Sequence, residues 1–328
     1  MLDAKQKILH LLRSERPDPV SGELICRHLN VSRTAIWKNI EALRRDGYEI
    51  EAKPRSGYRL ISSPDILAPS EWQTGLKSKI IGREARYFKS VSSTNDAAKE
   101  LARLGAKEGT TVLAEEQTSG KGRLGRVWRA PSGAGLSFSI ILYPKVNPME
   151  VSQLTMLGAV AVVNALKQEL GVPAGVKWPN DVYLQGLKVC GILAEMAAEA
   201  DQVKYLVLGI GVNVNQRSED LGELIHSAIS LRAFTGRKIS RSKLLGAILE
   251  QLDFLYDLWQ EQGFAPVRTL WKENALWLES PVQVSGLHEV WQGLMEDIDA
   301  HGALVLRLAD GSRKIFHSGE VSLRPGHH

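Results

Sequence analysis

The sequence predicts an α+β protein of several domains. They are an N-terminal winged helix-turn-helix over residues 1–64, a central mixed α/β sheet core over 65–277 and a small C-terminal SH3-like β-barrel over 278–328. Three observations carry this. Residues 20–45 hold two short amphipathic stretches, each preceded by a serine and joined by a tight turn. Strand-like and helix-like stretches then alternate from about 70 to 275, the pattern of helices packed on one sheet. From 279 to 324 apolar and polar residues alternate around Asp310-Gly311, a hairpin turn signal.

In the first segment, Leu2, Ile8, Leu11 and Leu12 form a helical stripe that ends near Pro17 and Pro19. Ser21 can cap a second helix, with Val20 and Ile25 as its hydrophobic staple, and Ser32 a third, with Val31 and Ile36. The third helix runs to about Arg45 and stops at Gly47; "YEIEAKPRSGYRLI" then reads as a two-stranded wing. Ile36, Ile40 and Leu43 fall at i, i+4 and i+7 and face a core. Ser32, Arg33, Thr34, Trp37, Lys38 and Asn39 occupy the first turns of a helix that would lie in the DNA major groove. Lys53, Arg55 and Arg59 on the wing would reach phosphates. Residues 1–64 hold 12 Lys+Arg against 8 Asp+Glu and the remainder 29 of each, so the whole net charge of +4 belongs to this segment. An ordinary solvated basic face remains the competing reading at this point. "ISSPDILAPS" after the wing reads as a linker.

In the middle segment "ARYFK", "TTVLAE", "LSFSIIL", "KVCGILAEM" and "KYLVLGIGV" read as strands, and "NDAAKELARLG", 148–171 and 240–262 as helices. The apolar run Met156–Val163 is far short of the ~20 residues a membrane span needs, so it is expected to be a buried helix, with no membrane partner. The N-terminus lacks a signal-peptide layout. Cys26 and Cys190 stand alone, away from any metal-spaced cluster, as reduced core thiols of a cytoplasmic protein would. His327 and His328 are given no role.

Gly120, Gly122 and Gly125 spell G-x-G-x-x-G. The dinucleotide fingerprint requires a helix directly after the glycines, and Pro131, Gly133 and the strand "LSFSIIL" leave no room for one. A kinase would also carry H-R-D and D-F-G, and a P-loop would carry Ser or Thr after Lys121, where Gly122 stands. What remains is a long loop, Gln117–Gly135, in which glycines let backbone N–H groups approach an anion while Lys121, Arg123 and Arg126 supply charge. Trp128 offers a flat face for a base.

Other stretches join it. In "KWPND" Pro179 breaks any helix, and Gln185-Gly186 turns the chain into a strand that opens with Lys188, a cation that suits an anionic ligand. In "SSTN" Thr94 or Asn95 can cap a helix whose N–H groups point into a site, and in "GIGVNVN" Gly209 and Gly211 thin a strand end. In this order "SSTN", "GKGRLGR" with Trp128, "KWPND", "LKVCGIL" and "GIGVNVN" resemble the bacterial bifunctional biotin–protein ligases that are also biotin operon repressors, over essentially the whole chain. One departure is that Lys121 and Leu124 stand where that family often has arginine.

The resemblance implies formation of biotinyl-5′-AMP from biotin and ATP with Mg²⁺, then transfer of biotin to a lysine of the biotin carboxyl carrier domain of a carboxylase. It implies catalytic roles for Lys188 and Arg123, which also contact biotin, with Lys121 and Arg126 assisting. Ser93, Thr94, Asn95 and Gln117 would bond the ureido head, Gly120, Lys121 and Gly122 would border biotin, and Gly191 would pack its apolar body. Arg126, Trp128, Asn180, Gly211 and Asn213 would hold the nucleotide, and Asp181 the metal. It further implies a homodimer, favoured by biotinyl-AMP, that binds operator DNA. Two alternatives are a biotin-sensing repressor without catalysis and a ligase of a related acyl group such as lipoate.

Overall fold

The computed structural model describes residues 4–15, 17–54, 56–129, 131–199, 202–286, 289–317 and 319–322. Leu2, Arg55, His327 and His328 lie outside them. The chain divides into two compact units, Met1–Thr74 and Gly75–His328.

The first unit holds α1 (Ala4–Ser14), α2 (Gly22–Leu29), α3 (Arg33–Arg45), β1 (Glu49–Lys53) and β2 (Gly57–Ser62). The expected caps are present: Ser21 Oγ accepts from Leu24 N at 3.1 Å and Ser32 Oγ from Ala35 N at 3.2 Å. Asn30, in the left-handed region at φ 52°, ends α2 and makes the turn. Val20, Ile25, Ile36, Ile40 and Leu43 share one core with Ile8, Leu9 and Leu12 of α1, and Val31 packs against it. The wing is tied in by reciprocal bonds between Val20 and Tyr58 of 2.8 and 2.9 Å. Gly57 permits this approach, since a Cβ there would lie 2.0 Å from Val20 O. The stretch read as a linker is packed rather than free. Leu67 and Trp72 are buried, and Arg13 bonds Ser70 O and Glu71 Oε2, each at 2.5 Å.

The second unit contains β3 (Ala85–Val91), α4 (Thr94–Arg103), β4 (Thr111–Gln117), β5 (Gly135–Leu142), α5 (Val151–Leu170), β6 (Gly175–Lys177), β7 (Asp181–Leu184), β8 (Leu187–Glu199), β9 (Gln202–Asn213), α6 (Leu231–Thr235), α7 (Arg241–Gln262) and α8 (Phe264–Glu273). Its seven strands run in the order β3-β4-β5-β9-β8-β7-β6; β3 and β4 are parallel and the other neighbours antiparallel. Strand alternation gives the sheet two different faces. Ile192 and Leu208 point to α5, where Gly158 lets the helix come close. That helix is long and apolar enough to cross a membrane by composition, but most of it is buried as the core of this unit. Tyr205 and Val207 point the other way, into a cluster with Ala98 and Ala102 of α4. Toward the carboxyl end of β9 the residues on that second face become Gly209 and Gly211, paired with Leu193 and Gly191 of β8 and with Ser139 and Ser137 of β5. Small residues there leave a trough instead of a packed layer.

One expectation fails at α4. Its cap is Ser93, in extended conformation with Oγ accepting from Asp96 N at 3.4 Å, not Thr94 or Asn95. Those two already belong to the first turn, and Ser139 Oγ draws both inward at 2.8 and 2.6 Å.

The C-terminal segment is a five-stranded antiparallel sheet of β10 (Pro281–Ser285), β11 (Val290–Ile298), β12 (Leu304–Arg307), β13 (Arg313–Phe316) and β14 (Glu320–Ser322), ordered β13-β12-β11-β10-β14. Asp310-Gly311 makes the expected β12–β13 turn, Gly311 having φ 81°. Edge strands β13 and β14 do not pair with each other among the described residues, so the sheet is open. It is joined to the core by Trp178 Nε1 donating to Gly302 O at 3.0 Å and by an Arg268–Asp297 ion pair at 2.6 Å.

Candidate functional site

Two surfaces gather the residues that the sequence singles out. The first is the N-terminal half of α3. Ser32, Arg33, Thr34, Trp37 and Lys38 are exposed there, Trp37 to 55%, while Ile36 and Ile40 beneath them are buried. Asn39 is half-buried and donates to Ala35 O at 2.8 Å. On the wing Lys53 is exposed, whereas Arg59 is held by Glu51 Oε2 at 2.7 and 3.0 Å.

The second surface is a cavity of about 310 Å³ over the glycine trough of the sheet. Ser93, Thr94 and Asn95 enter it from the start of α4, and Gln117 from the end of β4. Gln117 Oε1 accepts from Thr94 N and Oγ1 at 2.7 and 3.0 Å, so these groups are oriented before any ligand arrives. Asn95 sits above Gly209, where a Cβ would lie 2.1 Å from its Oδ1. Its amide donates to Glu195 Oε2 at 2.8 Å, and Glu195 Oε1 also meets Lys99 Nζ at 2.8 Å. Burial works to raise the Glu195 carboxyl, but Lys99 and the Asn95 amide outweigh it and hold the pKa below the usual carboxylate range.

The glycine loop closes one side. It folds as a miniature hairpin, not a helix start. Gly122 N bonds Arg126 O at 2.7 Å and Trp128 N bonds Gly120 O at 2.9 Å, with Lys121 opposite Val127. The tip turns through Leu124 and Gly125, both at positive φ (55° and 74°). Leu124 is 72% exposed at this tip. Arg123 reaches across to Asn180 Oδ1 at 2.9 Å, and Asn180 is fixed in turn by bonds with Ile192 O and N at 2.5 and 3.1 Å. Lys121 Nζ lies 2.8 and 2.7 Å from the two oxygens of Asp96. Lys121 first, and then Lys99, hold the Asp96 carboxyl below its usual range. Arg126 also faces the cavity, and Gly122 lines it, while Gly120 lies in the adjoining concavity under the loop.

Trp128 lies on the glycine floor. A Cβ on Gly211 would stand 2.4 Å from its Cε2, and one on Gly191 would stand 3.4 Å from its Cζ3. The buried indole Nε1–H, turned toward the Gly211 floor, has no acceptor among the described residues. On the far side Lys188 Nζ pairs with Asp181 Oδ1 at 2.7 Å. Asn213 accepts from Gln216 Nε2 at 3.1 Å at the trough's end. Cys190 is fully buried and burial pushes its thiol well up, so it is no nucleophile.

Sequence reasoning passed over Ser139, Glu195, Lys99 and Asp96, which orient the α4 residues. The alternation Ser137-x-Ser139 on a buried strand was the available signal, since a polar residue buried at period two needs a partner. It also passed over Lys177 and Tyr183, which line the cavity with Lys177 Nζ 2.9 Å from the Tyr183 hydroxyl.

Comparison with known proteins gives three family matches. Residues 5–59 match an HTH domain, residues 87–213 the biotin/lipoate A/B protein ligase family and residues 278–324 the biotin protein ligase C terminal domain. The chain is 40% identical over 320 residues to the bifunctional ligase/repressor BirA of Bacillus spizizenii, covering 97% of this chain and 98% of that one. It is 30% identical over 306 residues to the Escherichia coli protein of the same name, covering 93% and 92%. Among solved structures it resembles the Aquifex aeolicus biotin protein ligase in complex with biotin and ATP, with TM-score 0.64, 32% identity and coverage of 74% of this chain and 99% of that one.

Proposed function

The chain belongs to the bifunctional ligase/repressor family, and on that premise we propose how its cavity and its α3 face divide the work. It is a biotin–protein ligase and a biotin-responsive repressor. The observation that carries the catalytic reading is the convergence of Lys188, Arg123, Lys121 and Arg126 with Ser93, Thr94 and Asn95 around one cavity. Its volume of about 310 Å³ suits a small ligand held with few polar contacts.

In the first step a biotin carboxylate oxygen attacks the α-phosphorus of ATP, and pyrophosphate leaves. In the second, the amine of a carrier lysine attacks the acyl carbon, and AMP leaves. Carboxylate and triphosphate repel each other, so the first step needs cations already in place. Lys188 and Arg123 supply them; Lys188 exchanges Asp181 for the incoming anions, as Arg123 exchanges Asn180. Ser93, Thr94, Asn95 and Gln117 bond the ureido head, Gly120, Lys121 and Gly122 border biotin, and Gly191 lies along its apolar body. Trp128, lying on Gly211, offers its outer face to adenine, with Arg126, Asn180 and Asn213 nearby. Described residues provide no cluster of three metal-ligating side chains, so the fit is to a Mg²⁺ carried by the triphosphate, with Asp181 as its protein carboxylate and charge neutralisation as its contribution.

We assign the acceptor lysine to a carboxylase carrier domain, and α3 with its wing to operator DNA. A closed loop over biotinyl-AMP favours a homodimer that spans two half-sites, in the cytoplasm. Functional domains follow residues 1–64, 65–277 and 278–328, the last an SH3-like unit whose sheet β10–β14 is open between β13 and β14 among the described residues.

Incubation with biotin, ATP and a carrier domain should yield biotinylated carrier and, without carrier, biotinyl-AMP detectable by mass; absence of both sinks the ligase reading. Gly211→Ala should push the Trp128 indole off its floor and weaken ATP binding by about 1–3 kcal/mol, with biotin binding less affected; an unchanged KM for ATP would count against the Trp128 assignment. Arg33→Ala and Lys38→Ala should each weaken operator binding, at about 1–3 kcal/mol for a base-edge contact, while a phosphate contact would instead lower the salt slope by about 1. A titration over salt concentration separates the two, and unchanged affinity and slope in both variants would remove α3 from the DNA interface.

A further inference from the structure

Asp96 has no part in the ligand subsites assigned above, yet two ammonium groups converge on it. Lys121 reaches it from the glycine loop and contacts both carboxylate oxygens, at 2.8 and 2.7 Å. Lys99, one turn along α4, meets Oδ1 at 2.8 Å. The carboxylate stands in the first turn of α4, where the helix dipole favours an acid. Its own backbone N–H is held by the Ser93 cap. It is therefore a fixed anchor beside the residues that enter the cavity.

The loop needs such an anchor. Glycine-rich backbone loses much freedom when it is ordered, so closure depends on discrete ties. Near its start the ties are backbone bonds, Thr118 N to Val91 O and Ser119 N to Ser92 O, both 2.9 Å. At its tip the tie is Arg123 to Asn180. The Lys121–Asp96 pair fastens the loop directly to α4. The pair also continues inward: Asp96 to Lys99, Lys99 to Glu195 and Glu195 to the Asn95 amide. Loop position and the orientation of Asn95 thus share one chain of charges.

We infer that Asp96 is a positioning residue, a latch that holds the glycine loop shut through Lys121 and keeps the acyl-adenylate in the cavity until an amine arrives. This rests on the ligase reading above. A lysine at 121 suits the task, since a compact ammonium can lie against both oxygens of one carboxylate. The tie is half-exposed, so it is weak enough to open for substrate entry and product exit.

Asp96→Asn keeps the shape and removes the charge. Release of biotinyl-AMP into solution, per biotin transferred to carrier, should rise about three- to fivefold, the size expected of a half-exposed ion pair. Tryptic cleavage after Arg123 and Arg126 in the ligand-free chain should quicken by a similar factor. Asp96→Glu should restore both toward the native values. In the ligand-free cleavage assay, where the contact of Lys121 with biotin plays no part, Lys121→Ala should mimic Asp96→Asn, and the double variant should do no more than either single one. Additive effects, or release and cleavage both unchanged in Asp96→Asn, would overturn the latch. If the native chain makes no adenylate, the ligase reading fails instead, and the cleavage assay still decides the latch because it needs no ligand.

Discussion

Replacing Lys188 with alanine is expected to slow biotinyl-AMP formation by about 10²–10³-fold, the cost of removing one preorganised charge from a transition state. The preorganisation is visible in the backbone. Lys188 N donates to Ser227 O at 3.0 Å and its carbonyl accepts from Ile229 N at 2.9 Å, while the strand beneath pairs it with Tyr183. The side chain therefore starts from a fixed point, and its ammonium already rests in the cavity, 2.7 Å from Asp181. Stability should change only modestly, by about 1 kcal/mol, because the pair is half-buried, with its side chains 30% and 20% exposed, and stays open to solvent through the cavity. The discriminating result is a collapse of kcat for pyrophosphate release with a melting temperature little changed. Retention of more than roughly a tenth of the native rate would mean that the charge in transfer is met elsewhere. Lys188→Arg should recover only part of the loss, since a planar fork cannot sit as a point charge beside Asp181.

The elements that make up this site differ in how far the sequence disclosed them. Strands β4, β5, β8 and β9 are legible because long β-branched and aliphatic runs bounded by turn residues have few other solutions. The glycine loop is legible by exclusion: Pro131 and the strand after it leave no helix for a dinucleotide fold. The partners that orient the site are not legible. Asn95 meets Glu195 a hundred residues away, and Arg123 meets Asn180 across 57. Such pairs depend on sheet order, and nothing local dictates that β9 inserts between β5 and β8. The α4 cap was misplaced for a related reason. Ser93, Thr94 and Asn95 are all competent caps, and only Ser139 on a neighbouring strand decides which of them turn inward. Helices α6 and α8 and strand β6 escaped notice because elements this short or this irregular owe their form to tertiary packing rather than to period.

Arg241→Ala should destabilise the chain by about 3–5 kcal/mol, the usual cost of breaking a buried ion pair by removing one partner. Arg241, at the first position of α7, is fully buried and donates to Glu115 Oε2 at 2.8 Å and to Gly135 O at 3.1 Å. Glu115 also accepts from the Tyr87 hydroxyl at 3.1 Å. Without the guanidinium its carboxylate is left in a site 10% exposed and deprived of its charged partner. For a unit of this size the loss corresponds to a fall in melting temperature of roughly 10 °C or more. The position of the pair gives it a second consequence. Glu115 lies two residues before Gln117, where the glycine loop departs from β4, and Gly135 is where the chain re-enters the sheet as β5. One side chain thus clamps both stems of the loop, so loosening them should also raise KM for biotin in the fraction that remains folded. Charge bookkeeping separates the two effects. Arg241→Met combined with Glu115→Gln leaves no unpaired charge and should recover much of the stability. The clamp on Gly135 O stays lost in the double variant, so its KM should remain high. A double variant as unstable as Arg241→Ala alone would show that packing around the arginine stem, not its charge, holds this region together.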